Sequence, residues 1–282
     1  MKYGAHSQMF VDDIAEDPAG VFRLVASYGL DAVEVHVARA EDFPADAVAE
    51  AAAETGLDVV LGTALGADRS TISDDPEVRA RGIAHLEGCI RIAEKVGARK
   101  IAGGIHSANG VFVGRGRTDE EWNRSIEALR TVAPKAEAAG VLLTVEPVSR
   151  YSGYFLNTAA DAIALVEAVG SSSVKVQLDT YHMNIEEADP AAAIRATGGL
   201  LGHFHAVENN RGVPGTGQVP WAAVFAALAD IGYDDLMVYE HFPLDLPRMA
   251  VRTHTWRHLA TSREVCIDGT ANLKAVANGS GE

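Results

Sequence analysis

Strand-like and helix-like stretches alternate eight times along this chain, and that alternation limits the fold more than any single motif does. Strand character marks residues 2–7, 32–36, 57–61, 100–104, 141–146, 174–178, 200–205 and 236–239. Helical spacing marks 19–28, 45–54, 76–97, 118–140, 158–169, 190–196 and 221–231, most of them stopped by a glycine. Asp75 before Pro76, and Thr118 three residues before Glu121, are two clear helix starts. Pro134 predicts a kink or break in its helix, and Gly110, Gly114 and Gly116 predict a mobile loop over 106–117. Further helix is expected over 253–259 and within 264–276, and a disordered tail over 278–282.

A strand followed by a helix, repeated, requires a parallel sheet with right-handed crossovers. Eight such units predict closure, so the expected fold is α/β, a (β/α)8 TIM barrel forming one domain over 1–277. An open doubly wound sheet would want a glycine fingerprint after its first strand, and His6-Ser7-Gln8-Met9 offers none.

Composition narrows the partners. With 48% hydrophobic and 22% charged residues, the chain has the material for a large core. A net charge of −15 leaves no basic footprint for nucleic acid. No apolar run reaches the length of a membrane span, and the first residues lack a basic-then-apolar leader. Cys89 and Cys266 stand far apart in no paired motif, so neither a disulfide framework nor a thiolate zinc site follows. The expectation is a reduced, cytoplasmic protein with neither a nucleic-acid nor a membrane partner.

Barrels place chemistry at the C-terminal ends of their strands. Those ends are His6, His36, Thr63, His106, Glu146, Asp179, His205 and Glu240. Glu146, Asp179, His205 and Glu240 fall one per unit and converge on the mouth. Carboxylates gathered in this way repel one another, and a divalent cation removes the penalty. A ligand set of oxygen and nitrogen without sulfur suits Mn²⁺, Mg²⁺ or Co²⁺. The plainer alternative pairs each acid with Arg or Lys, but few basic residues lie in these strands and loops. His203 and His205 share one strand face, as do Glu34 and His36, which either line the pocket floor or are satisfied within the core.

Four segments carry a resemblance. They are Glu146-Pro147-Val148-Ser149-Arg150-Tyr151 with Phe155-Leu156-Asn157-Thr158, the run Gln177-Leu178-Asp179-Thr180-Tyr181-His182-Met183-Asn184, Gly202-His203-Phe204-His205 through Arg211, and Pro214-Gly215-Thr216-Gly217. Together they resemble the ketose 3-epimerases of the D-tagatose and D-allulose type, within the xylose-isomerase-like sugar isomerase/epimerase superfamily. The match is dense over about residues 140–242 and lies mainly in layout before that. It implies Glu146, Asp179, His205 and Glu240 as metal ligands, with Mn²⁺ the first choice. Glu146 and Glu240 are implied as paired catalytic acid/bases, and His182 and Arg211 as holders of the sugar's oxygens. A homodimer or homotetramer is implied as well. His6, His106 and Glu34 are further expected sugar contacts. Glu208 is expected either to orient Arg211 or His205 from behind or to sit in solvent.

The chemistry agrees with the resemblance. Removing a proton next to a ketone needs an electrophile on the carbonyl and a positioned base. Inverting C3 through a cis-enediolate needs proton delivery on the opposite face, hence two carboxylates. Departures are also visible: Ser152 stands where the family often has glutamate, His6 where an aromatic is common, and Phe112 where an indole often lines the pocket. These suggest a shifted substrate range.

Other readings share the barrel. An aldose–ketose or hydroxypyruvate isomerase, or an inosose-type dehydratase, would use the same metal and one base. A metal-dependent endonuclease predicts more histidine ligands and a basic groove, which the charge opposes. A sugar-binding protein would not need both Glu146 and Glu240. Apart from Arg211, no basic cluster marks a phosphate grip after strands seven and eight. His254 and His258, four apart on an expected helix, read as a surface pair rather than a zinc site.

Overall fold

In the computed structural model, which describes residues 1–279, period-two alternation within each strand decides what faces the barrel axis and what faces the helices. The strands are β1 (Lys2–His6), β2 (Ala32–His36), β3 (Asp58–Leu65), β4 (Lys100–Ala108), β5 (Leu142–Val145), β6 (Val174–Asp179), β7 (Leu201–His205) and β8 (Leu236–Tyr239). All pair in parallel in sequence order, and β8 returns to β1 with Lys2 opposite Leu236, closing the ring. The expected single-domain (β/α)8 barrel is therefore the fold.

On β2, Val33 and Val35 join the large core beneath the helices, while Ala32 belongs to a separate small cluster with Val60, Ala102, Leu236 and Val238. That cluster plugs the barrel. Two residues further along the same faces come Glu34 on β2 and Glu240 just after β8, so the register that fills the barrel also lifts the carboxylates into its mouth.

Ten helices cover the ring among the described residues: α1 (Pro18–Ser27), α2 (Ala45–Thr55), α3 (Pro76–Val96), α4 (Asp119–Ala139), α5 (Ala159–Val169), α6 (Thr180–Glu186), α7 (Pro190–Thr197), α8 (Trp221–Asp230), α9 (Pro247–Arg252) and α10 (Ser262–Ala277). Their starts are chemical. Asp17, Asp75 and Asp189 cap helices that open with proline, and Thr118, Thr158 and Thr261 form capping boxes. No helix among the described residues is long and apolar enough to cross a membrane.

Several local expectations need correction. Pro134 neither breaks nor ends α4, because Leu129, Val132, Ala133 and Ala136 around it are all buried against the barrel. β3 and β4 run longer than their sequence suggests: after a register shift Leu65 pairs with Ala108, so His106 belongs to a strand and the glycine-rich loop starts later. The segment after β6 is helix α6, capped by Asp179, whose carboxylate accepts from Tyr181 N at 2.7 Å. Helix is absent from 253–259 and occupies 247–252 instead, where Pro247 suits the first turn and His254, at φ 57°, turns the chain out of it. At the C-terminus Asn278 and Gly279 donate to the carbonyls of Lys274 and Val276, and the remainder of the expected tail, residues 280–282, lies outside the described residues.

Candidate active site

Adjacent strand ends bring the chemistry together by register. Asp179 on β6 pairs with His205 on β7, and His6 on β1 with Glu34 on β2. Asp179, His205 and Glu240 each offer a ligand atom within 4.8 Å of the others, and so do Glu146, Asp179 and His182. Asp179 is common to both groups, so the four residues expected as metal ligands form one cluster around it. Glu146, Asp179 and His205 are buried, and the Glu240 side chain is 15% exposed.

Crowding sets their proton affinities. Burial pushes the Glu146 carboxyl up to about 8, opposed by His205 and reinforced by Asp179 and Glu240. Burial raises Asp179 as well, against the pull of Arg211 and His205. Burial would also raise Glu240, but Arg211, His6 and His205 outweigh it and hold it down to about 2. Two carboxyls at one mouth are thus driven in opposite directions.

His205 is held from behind. Its Nε2 lies 3.0 Å from Glu34 Oε2, and His203 Nε2 lies 2.7 Å from the same oxygen. Burial lowers the affinity of His205 for protons, yet Glu34 overrides it and raises the imidazole to about 10. His203, equally buried, is brought down to about 4; both imidazoles direct an Nε2–H at this oxygen, because a carboxylate can only accept. The other nitrogen of His205, Nδ1, is buried without a hydrogen-bond partner and faces Asp179 Oδ2 at 3.9 Å.

An orphaned imidazole nitrogen beside clustered carboxylates fits a divalent cation, with Nδ1 as the ligand and Glu34 fixing the tautomer. Glu34, His203 and His205 also lie within 4.8 Å of one another as a possible ligand set. In that trio both Nε2 atoms are taken up by Glu34, and although His203 Nδ1 is also buried without a partner, only His205 Nδ1 faces a further carboxylate, Asp179.

Arg211 completes the mouth. Its guanidinium bonds Glu240 and reaches Asp179 Oδ2 at 3.4 Å. It lies over the rings of Tyr181 at 4.1 Å and Phe242 at 5.0 Å. Its backbone is left-handed at φ 62°, and its carbonyl meets His241 Nδ1 at 2.7 Å. A left-handed non-glycine residue is uncommon, and here the contacts around Arg211 hold it in place. Tyr181, Phe242 and His241 did not stand out in the sequence, since each is defined only by its contact with Arg211.

The remaining expected residues divide. His182 sits on α6, with Nδ1 accepting from Ser149 N at 3.1 Å and its ring beside Glu146 and Asp179. His6 lies 3.9 Å from Glu34 and against the ring of His36. Glu34, expected to touch sugar, instead directs its carboxylate to the two β7 histidines. His106 is set apart: its ring stacks on Phe155, and burial with no neighbouring charge brings it to about 3.

Glu208 does not sit in solvent, and its carboxylate touches neither Arg211 nor His205 directly. Fully buried, it accepts from Asn209 N, Gly215 N, Val219 N and Trp221 Nε1 at 2.9–3.1 Å, tying down the loop that carries Arg211. Gly217 is required there, because a Cβ would stand 2.6 Å from Glu208 Oε1.

Comparison with known proteins places this geometry among sugar epimerases. The chain is 37% identical over 233 residues to the L-ribulose 3-epimerase of Mesorhizobium japonicum, covering 82% of this chain and 78% of that protein. It is 32% identical to the D-psicose 3-epimerase of Agrobacterium fabrum, over 94% of this chain and 93% of the other. The crystal structure of Methylomonas sp. D-allulose 3-epimerase in complex with D-allulose superposes with a TM-score of 0.92 at 27% identity, over 97% and 96% of the two chains. Matched over residues 22–259, this chain belongs to the xylose isomerase-like TIM barrel family.

Proposed function

We propose that this protein is an isomerase that epimerises a free ketose at C3 with a divalent metal, Mn²⁺ first, and with Glu146 and Glu240 as paired acid/bases. The observation that carries this reading is the placement of the two glutamates. They follow strands three apart in the ring, yet each has a carboxylate oxygen within 4.8 Å of a ligand atom of Asp179. Relatives named L-ribulose and D-psicose 3-epimerase support a ketopentose or ketohexose as substrate.

A cation held by Glu146, Asp179, His205 Nδ1 and Glu240 would polarise the ketone and make the neighbouring C–H acidic. One glutamate removes the C3 proton from its face of the sugar and the other returns a proton to the opposite face. Reversal exchanges their roles, so each is base in one direction and acid in the other. Arg211 and His182, at the edge of the cluster, hold substrate oxygens near the reacting carbons. Buried Glu34, with His203, keeps His205 in one tautomer. Two buried free thiols, Cys89 and Cys266, accord with a reducing cytoplasmic setting, and the working assembly is a homo-oligomer.

The test is to strip the protein with chelator, restore Mn²⁺, and follow D-fructose and L-ribulose in D₂O by NMR. Deuterium at C3 together with the 3-epimer, absent without metal, is expected. Exchange at C1 with aldose formation would replace the reading with an aldose–ketose isomerase.

A further inference from the structure

The chain has 39 acidic against 24 basic residues, yet one surface cavity has the opposite balance. A groove of about 420 Å³ opens between the segment after β2, the turn after β3 and the outer face of α3. Arg39, Arg69, Arg81, Arg91 and Lys95 line it, against Glu41 and Asp68 as its acids. The proposed reaction uses none of these residues.

Pairing inside the groove is incomplete. Arg39 stands 3.5 Å from both Glu41 and Asp68, and Lys95 turns away to Asp46 at 2.7 Å. Arg81 donates Nε to the Asp68 carbonyl at 2.8 Å, and among the described residues neither Arg81 nor Arg91 has a carboxylate within ion-pair distance. Arg69 gives its terminal nitrogens to Ala38 O at 2.8 Å and His85 Nδ1 at 3.5 Å, and its buried Nε has only the Asp68 carboxylate near it, at 4.0 Å.

The plain alternative is a solvated basic face, and the helix dipole does favour Lys95 in the last turn of α3. That account does not cover Arg39 and Arg69, which come from other segments and converge on the same concavity. Like charges converging on one concavity are stabilised by an anion, and planar guanidinium groups match a tetrahedral oxyanion in bidentate fashion.

We propose that this groove binds a phosphate-type dianion, held by Arg39, Arg81 and Arg91, with the charge of Arg69 beneath them. The ligand is either inorganic phosphate or the phosphate group of a small monoester, for which the cavity has room. The site is separate from the barrel mouth and does not require a phosphorylated substrate.

Isothermal titration of the full chain with inorganic phosphate, and separately with glycerol 3-phosphate, at low ionic strength tests this. Saturable one-site binding is expected, weakened at least tenfold in Arg81→Gln/Arg91→Gln. Both of those side chains are exposed, so their loss leaves the fold intact, which a thermal melt checks. A control removing the exposed charges Arg195→Gln/Arg257→Gln leaves binding unchanged, whereas added NaCl weakens it. Tighter binding of the monoester identifies an ester as the ligand, and equal binding identifies free phosphate. No saturable binding of either anion at millimolar concentrations, or binding that survives Arg81→Gln/Arg91→Gln, overturns the proposal.

Discussion

His205 Nε2 stands 3.0 Å from Glu34 Oε2, and this bond decides which imidazole nitrogen faces the barrel mouth. Nδ1 is left aimed at Asp179, without a hydrogen-bond partner. A neutral amide at residue 34 removes the charge that holds the proton on Nε2. Glu34→Gln should therefore weaken Mn²⁺ binding about 10- to 100-fold while the protein stays folded. Calorimetric Mn²⁺ titration checks this, and unchanged affinity would remove Glu34 from the metal's support.

Arg211 is the positive charge between Asp179 and Glu240 in the structure. Replacing it with an apolar side chain leaves two carboxylates facing one another in a largely buried site. Arg211→Leu should cost the metal-free protein about 3 kcal/mol or more, lowering its melting temperature by roughly 6–12 °C. Mn²⁺ should then raise the melting temperature of the variant by more than it raises that of the unaltered protein. Equal metal-induced shifts would show that Arg211 does not balance these acids.

His85 gives a pH signature away from the metal cluster. Burial, with Arg69 adding, lowers it to about 4, while Nε2 bonds Thr63 Oγ1 at 2.9 Å. A histidine depressed in the folded state contributes stability that is present above its unfolded value of about 6.5 and is lost as pH falls towards 4. Urea unfolding at about pH 7 and pH 4.5 should show His85→Gln losing about 2–3 kcal/mol less than the unaltered protein over that interval. Parallel losses would mean that His85 is not held neutral.

The barrel and the cluster around Asp179 were legible because both follow from short-range rules. Glycine stops and proline-led caps divided the chain into units, and residues at strand ends must meet when the ring closes. What escaped notice depends on longer reach. Helix α6 is only 7 residues long, and its cap, Asp179, had already been read as a ligand. His106 reads as a strand end in the sequence because the pairing of Leu65 with Ala108, which extends its strand, cannot be read from either strand alone. The helix expected over 253–259 is displaced to 247–252, and His254 takes a left-handed backbone just beyond it. Glu208 was ambiguous because its four donors come from as far along as Trp221.

Glu208 provides a fourth test. Glutamine there presents an NH₂ group to backbone donors that need an acceptor, so part of the network must break. Glu208→Gln should destabilise the protein by about 2–4 kcal/mol and raise KM more than it lowers kcat, since the loop it ties carries Arg211. Chemical denaturation and steady-state kinetics with the ketose measure both. An unchanged KM would mean that the loop holds its shape without the carboxylate.

In the proposed mechanism Glu146 and Glu240 work on opposite faces of C3. The most direct measurement is deuterium exchange at C3 of D-fructose and of D-allulose, each incubated separately in D₂O with Glu146→Gln or Glu240→Gln. Mn²⁺ occupancy is to be verified by electron paramagnetic resonance. Each variant should lose epimerisation by about 10²- to 10⁴-fold. One should still exchange only D-fructose and the other only D-allulose, because the surviving carboxylate serves one face. A metal-loaded variant that still exchanges both epimers, or still interconverts them at the native rate, would contradict the two-base account.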